Sequence, residues 1–84
     1  MSEQRYRDII ATIPSRAQCS ANHQADVIDA AQLTNHERGE LWRYGVRQGY
    51  LTPLMLWEPS TSPAAKGRHV RQYRRTTTPI RGAA

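Results

Sequence analysis

Thr34-Asn35-His36-Glu37, followed at Gly49 by a residue free to take a left-handed conformation, defines both ends of one helix, and everything else must pack around it. A threonine at the N-cap accepts from the backbone N–H three residues on, and a glutamate at that position reaches back to the N-cap N–H. Glycine just beyond the last turn lets the chain close back on the orphan carbonyls. The pattern predicts a helix over 35–48. Leu41, Trp42 and Val46, helped by Tyr44 and Gly45, form its inner side. His36, Gly39, Glu40, Arg43 and Arg47 recur at three- and four-residue spacing on the opposite stripe, with no large apolar residue among them.

Upstream, Tyr6, Ile9, Ile10 and Ile13 repeat at i, i+3, i+4 and i+7, which predicts an amphipathic helix over 3–13. Pro14 closes it, because the residue before proline is pushed out of the α region. Residues 15–21 admit two readings: Ser15 with Gln18 as a capping box, or a later start capped by Ser20 or Asn22. The later start is preferred. It leaves 15–19 as a connector and gives a second helix over 22–32, carried by Ala25, Val27, Ile28, Ala31 and Leu33. After Pro53, Leu54–Glu58 is an apolar run of strand length, 59–67 is rich in turn formers, and 68–74 returns as a second strand. A hairpin symmetric about that loop sets Glu58 opposite Arg68, Trp57 opposite His69, Leu56 opposite Val70 and Met55 opposite Arg71. Leu54, Leu56 and Val70 then face the core, while Trp57, His69 and Arg71 face outward. Residues 76–84 have little to bury and are expected to form a flexible tail.

Charge separates along the chain. Six basic and seven acidic residues precede residue 59; six basic and no acidic residues follow. Clustered Lys and Arg neutralise phosphates and release condensed counterions, so an anionic partner is expected, nucleic acid ahead of lipid or an acidic protein. The first residues lack the apolar core of a secretory signal, and no apolar run approaches spanning length, so no membrane partner and a cytoplasmic, nucleoid-associated location are expected. With 84 residues there is room for one core, and Cys19 alone makes no intramolecular disulfide. Cys19 with His23 is too few ligands for zinc, and Asp26 with Asp29 reads as two solvated acids. No phosphate-cradling glycine loop is present. The expectation is no metal, no cofactor, no small-molecule ligand and no enzymatic activity.

Two short helices meeting at Leu33-Thr34, a third helix ending at glycine, then a hairpin with a basic return strand: over residues 3–75 this order resembles the winged helix-turn-helix family of DNA-binding domains. The resemblance implies an α+β fold, mostly α, with a domain over 1–75, helix 35–48 in the major groove of double-stranded DNA and the hairpin wing on the backbone. It points to Thr34, Asn35, His36, Gly39, Glu40, Arg43 and Arg47 on the recognition helix, and to Lys66, Arg68, Arg71, Arg74 and Arg75 on the wing. The residue chemistry agrees. Arginine forks grip phosphate or read guanine, Asn35 pairs with adenine or phosphate, and His36 donates to either. The helix start at Thr34 offers a phosphate seat. Gly39 permits close approach of the backbone, and Glu40 accepts from cytosine or repels an off-register phosphate. Four wing contacts imply a slope of roughly −3.6 in log K against log salt. Trp42 belongs with the core. A small transcriptional regulator, repressor type included, of bacterial, plasmid or phage kind follows, dimerising on DNA through the first helix or the Trp57 surface. The alternatives are an excisionase-like architectural DNA binder, a protein–protein adaptor or inhibitor on the same scaffold, and an RNA binder.

Overall fold

The computed structural model describes residues 2–61 and 67–80, in the order α1 (Ser2–Ala11), β1 (Gln18–Cys19), α2 (Ala25–Ala30), α3 (Asn35–Arg47), β2 (Leu51–Pro59) and β3 (His69–Arg75). The three strands form one antiparallel sheet, ordered β1-β3-β2. This is a small α+β fold in which α1 packs on α3 and α3 on β2.

The core is drawn from every layer: Tyr6, Ile9, Ile10 and Ile13 from α1 and its end, Ile28 and Leu33 around α2, Leu41 and Tyr44 from α3, Tyr50 from the turn after it, and Cys19 and Leu51 from the sheet. Without phenylalanine, aromatic packing falls to tyrosine: the Tyr6 and Tyr44 rings tilt against each other at 5.5 Å, and Tyr44 meets Tyr50 at 6.2 Å. Gly45 lets α3 and β2 approach. A Cβ there would lie 2.9 Å from Leu51 Cγ and 3.2 Å from Ile10 Cδ1, closer than carbon atoms pack.

Both ends of α3 follow from local chemistry. The Thr34 hydroxyl accepts from Glu37 N at 3.2 Å and Thr34 N donates to Glu37 Oε1 at 2.9 Å. At the other end Gly49 takes φ +79°, Tyr50 N donates to Gly45 O and Gly49 N to Val46 O, a Schellman closure.

Other boundaries differ from the sequence expectation. α1 ends at Ala11, and Thr12 and Ile13 turn off it by donating to Ile9 O and Ile10 O. α2 is six residues long instead of spanning 22–32. Its upstream turn is held by Gln24 N on Ser20 O, and Gln32 leaves it with φ +55°. Asn22 does not cap it, because its side chain is committed to the hairpin. The supposed connector contains a strand: Arg16 N donates to Arg75 O and Arg75 N to Ala17 O, both at 2.8 Å, extending the pairing of Gln18 with Arg74 and Cys19 with Tyr73. Two residues carry no readable alternation, and long-range backbone bonds recruit them.

β2 is longer than 54–58 and includes Pro53 and Pro59, which an edge strand accommodates because it need not donate on its free side. The hairpin register also departs from symmetry. Pro53 pairs with Tyr73 and Trp57 with Arg71, so Leu54, Met55 and Leu56 stand opposite Gln72 alone. The slip of two residues pairs Glu58 with Val70 and Pro59 with His69 in place of the expected partners. An even slip preserves alternation, so Trp57 and Arg71 share a face as expected. The expected core face does not form: Leu56 is exposed and Leu54 and Val70 only half-buried, because this part of the hairpin extends beyond the helices. The sheet instead buries Cys19, Leu51 and Arg75, with Tyr73 partly covered.

Of the expected tail, residues 76–80 are anchored. Thr76 N donates to Tyr50 O, Thr76 Oγ1 to Gly49 O, and Ile80 packs on the core. Residues 81–84 lie outside the described residues.

Candidate nucleic-acid interface

Leu41, Tyr44 and Gly45 turn inward on α3, so the opposite side of the helix faces solvent and the hairpin. Asn35, His36, Gly39, Arg43 and Arg47 are exposed there and Glu40 is half-buried. Val46, expected inside, is 38% exposed on this side, while Trp42 packs partly on the core as expected and also reaches this side. Trp42 is half-buried and stacks on Tyr73 of β3, with ring centroids 5.0 Å apart and planes 9° from parallel.

That stack lies where two concavities between α3 and the hairpin meet. One, about 380 Å³, runs along Arg38, Gly39, Trp57 and Arg71; the other, about 290 Å³, along Arg43, Val46, Arg47 and Pro53. Trp42, Tyr73 and Arg71 line both. The result is a cleft with an aromatic floor, arginines from α3 on one wall and Arg71 on the other.

The arginines differ in freedom. Arg43 Nε donates to Glu40 Oε1 at 2.8 Å and Arg47 lies 3.9 Å from Glu40 Oε2, with its guanidinium 5.9 Å from the Tyr44 ring. The hydrogen bond from Arg43, reinforced by the charges of Arg43 and Arg47, holds the Glu40 carboxyl below the ordinary carboxylate range. Glu40 thus holds both forks while remaining a negative charge on the same face of α3, beside the cleft. Arg38, which sequence reasoning passed over, pairs with Asp29 at 2.9 Å and donates to Leu33 O. Arg71 has no acidic partner among the described residues. Its guanidinium lies 4.7 Å from the Trp57 ring and 3.5 Å from Met55 Sδ.

The expected wing set divides. Arg68 is exposed at the end of the hairpin. Arg74 pairs with Thr52 and Gln18 on the face opposite Arg71 and donates to Arg16 O at 3.2 Å, away from the cleft. Arg75 leaves the set altogether: it is 7% exposed and donates to Tyr50 O and Thr78 O. Strand alternation sends it inward beside Leu51, and it closes the corner after α3 instead of contacting a ligand. Lys66 lies outside the described residues. The phosphate seat at Thr34 is narrowed too. The capping box consumes the Thr34 and Glu37 N–H groups and sets a carboxylate there, leaving the Asn35 and His36 N–H groups at the helix start.

Asn22 positions the hairpin. Its amide nitrogen donates to Glu58 Oε2 at 2.6 Å and Pro59 O at 2.8 Å, and its oxygen accepts from Thr61 N at 2.9 Å. One side chain therefore ties the turn before α2 to the end of β2. No local pattern reveals such a contact, since its partners lie over 35 residues away.

Burial pushes the Cys19 thiol up to about 11, which makes it a packing group and not a nucleophile. Among the described residues no group of three His, Cys, Asp or Glu side chains could hold a metal, and no helix is long and apolar enough to cross a membrane. Comparison of the chain with protein-family models, curated proteins and solved structures finds no match.

Proposed function

We propose that this chain is a sequence-specific binder of double-stranded DNA of the winged helix-turn-helix kind, acting as a small transcriptional regulator. The observation that carries the reading is the shared cleft: the solvent face of α3, with Arg43 and Arg47, and the basic hairpin, with Arg71, line one concave surface. In the proposed complex α3 enters the major groove with Asn35, His36, Arg43 and Arg47 toward bases and phosphates, while Arg68 and Arg71 neutralise the flanking backbone. The short link from α2 through Leu33 to capped α3, and the hairpin that follows, also support the family resemblance.

Glu40 gives the interface selectivity. Each arginine that turns to DNA must leave it, and the uncovered carboxylate then favours a cytosine amino group over a phosphate.

The test is selection of bound sequences from a random duplex pool at physiological salt, repeated with Arg43→Glu and Arg47→Glu. Enrichment of a discrete site by the native chain, abolished in the charge-swapped variant, is the expected result. Equal retention of DNA by both proteins would remove α3 from the interface.

A further inference from the structure

The hairpin carries a second feature that phosphate contacts leave unused. Met55, Leu56 and Trp57 are consecutive, apolar and 84%, 51% and 55% exposed. They occupy the irregular part of β2, where three residues stand opposite Gln72 alone and the strand is pushed out of regular pairing. Arg71, with no acidic partner among the described residues, stacks on Trp57 and touches Met55 Sδ, so the apolar group is held beside a cation available to phosphate. The one carboxylate on the hairpin, Glu58, is turned aside by its hydrogen bond from Asn22.

We infer that Met55 and Leu56 form a wedge that enters the minor groove of duplex DNA and inserts between base pairs, unstacking one step and bending the duplex, with Arg68 and Arg71 on the adjoining phosphates. The inference rests on the DNA-binding reading above and adds to it a deformation of the DNA. Side chains such as methionine and leucine are the ones that pry base steps apart, and the cost of unstacking is offset by the protein surface a bent duplex can reach. A protein partner fits less well. Three side chains alone fall well short of the roughly 800 Å² per partner that a stable protein interface buries, and the arginine that touches them, Arg71, has no acidic partner among the described residues.

The experiment uses the full chain and a duplex recovered by the selection above, with 2-aminopurine placed in turn along the site and a donor–acceptor dye pair on its ends. The native chain should raise 2-aminopurine fluorescence at one step and shorten the end-to-end distance. Met55→Ser with Leu56→Ser, both at exposed positions and checked for an unchanged melting temperature, should still bind with the same salt slope while losing both signals. Binding by the native chain with no unstacking and no bending would overturn the wedge and leave the DNA-binding reading standing. Failure of the native chain to bind any duplex would overturn both. Self-association of the native chain that the double substitution abolishes, without change in DNA signals, would assign the patch to a second copy and likewise overturn the wedge.

Discussion

The indole of Trp42 lies nearly parallel to the ring of Tyr73, so α3 and the central strand of the sheet are joined by an aromatic stack at the floor of the cleft. The pair is separated by 31 positions in sequence and fixes how far the hairpin stands from the helix.

Breaking that stack should therefore affect both stability and binding. Trp42→Ala is expected to cost about 2 kcal/mol, below the ~3–5 of a fully buried aromatic because the ring is half exposed. A double-mutant cycle with Tyr73→Ala should return a coupling of about 1 kcal/mol. Urea denaturation measures both. Coupling near zero would mean that the rings only share an apolar surface.

Two glycines of α3 should respond in opposite senses to alanine. At Gly45 the new methyl meets Leu51 and Ile10, and overpacking of about 1–3 kcal/mol outweighs the gain of about 1 kcal/mol in helix propensity, so stability falls. At Gly39 the methyl meets only the Arg43 guanidinium at 3.6 Å, an ordinary contact, so Gly39→Ala should gain about 1 kcal/mol. If DNA affinity drops in the stabilised Gly39→Ala protein, the backbone there approaches DNA closely.

Arg75 and Arg68 should separate structural from ligand-binding charge. Arg75 donates to Tyr50 O and Thr78 O, and although Tyr50 O keeps its bond from Thr76 N, losing a buried charged donor should make Arg75→Ala less stable by about 2 kcal/mol with little change in the salt slope of DNA binding. Arg68→Ala, at an exposed position, should leave the melting temperature unchanged and make the slope shallower by about 0.9. With Arg74 and Arg75 set aside, the contacts among the described residues, Arg43, Arg47, Arg68 and Arg71, number four and set a native slope of roughly −3.6.

What could be read from the sequence was whatever local chemistry determines. Thr34 with Glu37 and Gly49 delimit α3 because each cap is made by residues within one turn of it. The spacing of Tyr6, Ile9, Ile10 and Ile13 gave the buried face of α1 for the same reason. The outward set Asn35, His36, Gly39, Arg43 and Arg47 follows from helical periodicity once the inner side is known. Val46 departs from its expected inner place, and Trp42 packs on the core with only part of its ring, because both flank the buried arc, where the hairpin decides their environment. β1, the slip at Leu54–Leu56, the burial of Arg75 and the clamp by Asn22 are products of long-range pairing, and nothing within a few residues of them signals it. Arg75 is the instructive case: its side chain reads as one more cation of a basic run, and only its pairing with buried Leu51, on the Tyr73 face that packs toward α3, turns it inward.

Asn22 and Glu58 make the hairpin position sensitive to acid. The hydrogen bond from Asn22, followed by those from Ser20 and Gln72 and the charge of His23, holds the Glu58 carboxyl below its ordinary 4.5. A carboxyl depressed in the folded state stabilises the fold above its unfolded value, and that contribution is lost as pH falls below 4.5 through the folded value. Protonated Glu58 accepts poorly from Asn22, so the tie between the turn before α2 and the end of β2 should loosen in this window. Asn22→Ala removes the largest cause of the shift: Glu58 should then titrate nearer 4.5, and stability should depend less on pH below that value. Carboxyl carbon chemical shifts followed by NMR between pH 2 and 7 would measure the Glu58 midpoint directly. An identical midpoint in the native and Asn22→Ala proteins would remove Asn22 from control of the hairpin.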